Sequence, residues 1–139
     1  MAFAEVEILR MLVDRSAPGG DDITATAYRL AFERRAMPMG NRAEARGVAH
    51  VAMFASSFGQ VLLLPPPGFA ELLDKAIPRH LDDTDTLGEL LIAAHAAGLD
   101  SAHIKAGRAA FDVAVRAIER TFRNYHVFVV AGILYALTE

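Results

Sequence analysis

Apolar positions fall at helical spacing in one stretch of this chain after another. From Phe3 to Arg15, Ala4, Ile8, Met11 and Leu12 share a stripe, and Ser16-Ala17-Pro18-Gly19-Gly20 stops it. Asp21 or Asp22 offers a cap for a second helix reaching about Ala36, with Ile23, Ala27, Leu30 and Ala31 inward. Asn41 followed by Glu44 resembles a capping box and opens a third. That third helix is dense in small residues (Gly47, Ala49, Ala52, Ala55, Ser56, Gly59) and is expected to run on until the prolines at 65–67 and Gly68 end it. A short helix from Phe69 to Ile77 follows. Thr86-Leu87-Gly88-Glu89 fits a second capping box, opening a helix to Ala97 that Gly98 and Leu99 close with a left-handed turn.

Past a cap at Asp100 or Ser101 comes the clearest pattern. Phe111, Val115, Ile118, Phe122, Tyr125 and Val129 recur at steps of four and three, with Arg108, Asp112, Arg116, Glu119, Arg120 and Arg123 on much of the remaining surface. Beyond His126 the polar face vanishes, which predicts a helix end covered on all sides, by its own core or by another subunit. The expectation is an all-α, single-domain bundle over residues 1–139: five to six antiparallel helices with a long amphipathic C-terminal helix.

Composition narrows the function classes. The chain has 139 residues, 53% of them hydrophobic, and its mean hydropathy of +0.26 is high for a small domain, so part of the apolar surface is expected to await a partner. No cysteine is present, which excludes disulfides, thiolate metal sites and Cys nucleophiles. A net charge of −3 and a pI near 5.9 argue against a dedicated nucleic-acid binder. The stretches Val48–Leu64 and Val127–Leu137 are apolar. The first carries His50, Ser56, Ser57 and Gln60, and the second is short of the roughly 20 residues a span requires, so no membrane helix is expected. The first residues, Met1-Ala2-Phe3-Ala4-Glu5, lack a basic leader, and a cytoplasmic protein is the default.

Standard catalytic signatures are missing: there is no phosphate loop, Gly-x-Ser-x-Gly elbow or His-Glu-x-x-His pair. Counted from Asp83, the acidic run Asp82-Asp83-Thr84-Asp85 fails as a calcium loop, since Leu87 and Ala94 stand where oxygen ligands belong. It reads instead as a solvated loop favouring the next helix N-terminus. No metal and no cofactor is expected. The histidines carry the remaining chemistry. His95 lies along an apolar stripe, and His103 begins the following helix, so the two rings are candidates for an acid–base pair with Asp100 or Glu89 as orienters. Arg120 and His126, with five residues between them, resemble the Arg-x(4–6)-His motif of HEPN-type ribonucleases, small helical bundles that place it at a dimer interface. Only two of the 14 basic residues are lysines and five histidines are present, so roughly one such spacing arises by chance and the motif assigns no family. Arg34, Arg35, Arg42 and Arg46 bracket a turn and are candidates for an anion site, or else surface charges paired with Glu33 and Glu44.

Two functions remain open. One is a non-catalytic interaction or ligand-binding module, homodimeric, with Phe122, Tyr125, Val129 and Leu134 as interface candidates and a protein or a small apolar molecule as partner. The other is a small enzyme working in an inter-helix cleft, with His95, His103 and His126 as acid–base groups and Arg120 or Arg123 stabilising negative charge. The pattern favours the first.

Overall fold

The computed structural model describes residues 41–64 and 67–138. The two N-terminal helices expected from the pattern, with Arg34 and Arg35, lie outside the described residues. Within them the chain is all helical: α1 (Arg42–Ala55), α2 (Phe69–Ala76), α3 (Thr84–Ala96), α4 (Ala102–Ala117) and α5 (Tyr125–Ala136), with single 3-10 turns at Ile77–Arg79 and Phe122–Asn124. The described residues contain no strand, and the helices pack as a bundle.

α3 is its axis. It packs on α1, α5, α4 and α2, and ten of its residues are buried, from Thr86 through Ala94 and at Ala96. Small residues make this possible. At Gly88 a Cβ would stand 2.6 Å from Phe111 Cε2 of α4 and 2.5 Å from Val130 Cγ1 of α5, so the missing side chain lets both helices close on the same point. Ala45, Ala49 and Ala52 give α1 the same flat, wholly buried face.

The caps explain the boundaries. Asn41 Oδ1 accepts from Glu44 N at 2.9 Å, the expected start of α1. α3 starts earlier than its Thr-Glu pair suggests. Asp83 is the cap: it accepts from Thr86 N and from the Thr86 hydroxyl, which leaves Thr86 inside the helix. At the other end Gly98 sits at φ 64°, with Gly98 N donating to His95 O and Leu99 N to Ala94 O, the double closure of a Schellman turn.

Two helices are shorter than the pattern predicts. α1 stops at Ala55, ten residues before the prolines, because Ser57 and Phe58 turn left-handed and Phe58 N bonds back to Met53 O. Buried Ser56 holds that turn, donating to Met53 O and accepting from Gly59 N. The long C-terminal helix is in fact two. Ile118 is extended at ψ 131°, and Asn124 Nδ2 takes Glu119 O at 2.9 Å, giving the backbone an alternative to the helical ladder. After this break α5 buries one face, Val127, Val130, Ala131 and Leu134, rather than all of its sides.

Candidate functional site

The register of three helices builds a charged centre beside the apolar core. On α1, Arg42, Arg46 and His50 are spaced one turn apart and so share a face. On α3, Asp85 and Glu89 repeat that step, a consequence of the helix starting at Thr84. The break before α5 brings His126 into its first turn. α1 and α5 both pack on α3, and these six side chains meet there.

Arg46 is the clamp. Its Nη1 lies 2.9 Å from Asp85 Oδ2 and its Nη2 2.9 Å from Glu89 Oε1, so one guanidinium spans both carboxylates. Arg42, more exposed, reaches Asp83 at 3.1 Å and Asp85 at 3.5 Å. His50 Nε2 stands 3.1 Å from Glu89 Oε1. His126 Nδ1 stands 2.5 Å from Asp85 Oδ1, and its Nε2 faces Glu89 Oε1 at 3.8 Å.

Burial grades across the cluster. Glu89 has 0% exposure, Asp85 is mostly covered, and the His126 side chain is 41% exposed. A carboxylate taken wholly out of water costs several kcal/mol unless its partners replace the hydration. Glu89 Oε1 has such partners, whereas Oε2 is buried with no hydrogen-bond partner among the described residues. Among the described residues the charges do not balance either: three carboxylates (Asp83, Asp85, Glu89) face two guanidiniums, leaving one negative charge for an imidazolium or another cation. Among the described residues, Asp85, Glu89 and His126 form a group able to hold a metal ion, one donor atom of each lying within 4.8 Å of the others.

The candidates from the sequence separate here. His126, Arg42 and Arg46 belong to the centre; among the described residues the two arginines pair with Asp83, Asp85 and Glu89 and not with Glu44, while Glu33 lies outside the described residues. Asp85 is a working member of the cluster and not a solvated loop charge. Arg120 and Arg123 are exposed, and neither makes an ion pair among the described residues, so His126 turns to Asp85 instead of Arg120. His95 and His103 are not built as a pair. The His95 ring lies against Gly59, while His103 Nδ1 bonds Asp74 Oδ2 at 2.9 Å. Asp74 also accepts from Ser101, the cap of α4, and these two hydrogen bonds, Ser101's first, hold its carboxyl below the usual value of 3.8. Of the interface candidates, Leu134 is buried in the bundle, whereas Phe122, Tyr125 and Val129 are exposed, with the Phe122 and Tyr125 rings stacked 5.5 Å apart.

The sequence reading missed the role of His50 and Asp85 and gave Glu89 only a passing one. A signal was present: Arg42-x3-Arg46-x3-His50 and Asp85-x3-Glu89 are opposite charges at matching one-turn steps on two helices whose remaining residues are mostly apolar.

No family model, curated protein or solved structure matches this chain. No described helix is long and apolar enough to cross a membrane.

Proposed function

We propose that this chain is a ligand-binding helical module whose seat is the charged centre between α1, α3 and α5. The observation that carries the proposal is Glu89: an acid fully inside the bundle, with one oxygen that has no hydrogen-bond partner among the described residues. Buried polar atoms in native proteins nearly always have partners, and an exception marks a place where a water, ion or ligand group belongs. The seat is reachable, since His126 and Arg42 on its rim are partly exposed.

Binding fits the groups better than catalysis does. Among the described residues the site offers no thiol or free hydroxyl: cysteine is absent, and the Ser56 hydroxyl is committed to its own turn. The two histidines face carboxylates rather than an open cleft.

Native mass spectrometry of the protein as purified tests the proposal. A stoichiometric adduct on the wild type, absent from Glu89→Gln, is expected. A bare wild-type chain, or an adduct that survives Glu89→Gln, would overturn it.

A further inference from the structure

The geometry points to a first-row divalent cation of the zinc class as the ligand, held by Glu89 and His126 with Asp85. This rests on the reading of the same centre as a binding seat, and names its occupant.

The first argument is the way His126 faces its neighbours. With Nδ1 donating to Asp85 Oδ1 at 2.5 Å, a neutral ring turns its Nε2 lone pair toward Glu89 Oε1, 3.8 Å away. With the ring neutral, two acceptors then face each other, Glu89 on the buried side and His126 on the partly exposed one. A cation between them removes the conflict. Zinc takes imidazole nitrogen and carboxylate oxygen at about 2.0–2.2 Å, so a spacing of 3.8 Å is close to what one shared ion requires. Asp85 on the other ring nitrogen is the usual outer partner of a metal-bound histidine, fixing both tautomer and ring orientation.

The second argument is the unpaired oxygen. Oε2 is bonded to the same carbon as the oxygen facing His126, and a carboxylate can ligate through either oxygen or both. His50 Nε2, 3.1 Å from Oε1, is a further nitrogen donor close to the same carboxylate. The third is charge: among the described residues three carboxylates stand against two guanidiniums, which leaves room for a further cation at the centre. A donor set mixing imidazole with carboxylate suits zinc, iron or manganese better than magnesium or calcium, which take oxygen.

Arg46 gives the proposal a distinctive consequence. Its guanidinium bridges Glu89, which would ligate the metal, and Asp85, which would orient the ligating His126, so it is an internal cation in competition with the external one. Removing it lowers the stability of the metal-free protein and raises its affinity for metal. A cluster that only holds the fold together has no reason to behave in this way.

Titration calorimetry of the chelator-treated full chain with Zn2+ alone, with Mg2+ as control, is the test. The expected result is saturable uptake of one Zn2+ per chain, weakened about tenfold or more by His126→Gln. Arg46→Met is expected to bind more tightly than wild type. His126 is partly exposed, so its variant is the one expected to keep the fold, which circular dichroism verifies. No saturable Zn2+ binding by either wild type or Arg46→Met would overturn the proposal, as would binding that His126→Gln leaves unchanged. Either failure leaves the broader reading to its own test, because a Glu89-dependent organic adduct in native mass spectrometry would still support a binding seat.

Discussion

At the scale of single residues, Gly88 and Glu89 are neighbours with opposite roles. Gly88 is empty space that two helices use. Gly88→Ala would set a methyl group within 2.6 Å of both Phe111 and Val130, neither of which can withdraw from a packed core without moving its helix. The expected loss is about 1–3 kcal/mol in urea unfolding, despite alanine's better helix propensity. A neutral or stabilising result would show that α4 and α5 do not close on this point. Glu89 is the reverse, a side chain whose burial is costly. Neither role was legible in the sequence, where both residues lay within the expected capping box. A cap is decided by which acceptor reaches the first free N–H groups. Asp83 is an equally good acceptor three residues earlier, and that shift is what places Glu89 one turn beyond Asp85.

At the scale of elements, the sequence was most informative where local chemistry acts alone. Asn41, Ser101 and Gly98 terminate helices as their residue types dictate, since each needs only its own backbone. It was least informative where a polar side chain competes with the helix ladder. Asn124 at Glu119 O and Ser56 at Met53 O cut short two helices whose apolar periodicity continues across the break. Helix-to-helix ties depend on the tertiary fold in the same way. Asp74 of α2, accepting from Ser101 and His103 at the start of α4, was not foreseen because its partners are 27 and 29 residues away. Its folded carboxyl titrates below the usual 3.8. Such a group stabilises the fold above the unfolded carboxyl's pKa, and the contribution is lost as pH falls through the folded value. Unfolding midpoints measured from pH 6 down to pH 2 should therefore drop less for Asp74→Asn than for wild type. Parallel acid profiles would remove this clamp from the account.

At the scale of the whole molecule, the five described helices pack about an apolar core, and one corner of it is charged. That corner draws on α1, α3 and the first turn of α5, segments separated by more than 75 residues in the chain from His50 to His126. No local motif reports such an assembly. The matching one-turn steps of opposite charge were its only trace. The central claim is that Glu89 is kept for a ligand, with Arg46 as its partner while the ligand is absent, and that the bundle does not need this buried pair to fold. Buried ion pairs usually fail to repay their desolvation, and apolar residues of similar volume often hold a fold as well or better. The most direct measurement is the urea-unfolding free energy of Arg46→Met/Glu89→Leu beside wild type, both in chelator-treated buffer. A double variant within about 1 kcal/mol of wild type, or more stable, is the predicted result. A loss above roughly 3 kcal/mol would mean that the charged corner holds the bundle together, and would contradict the account.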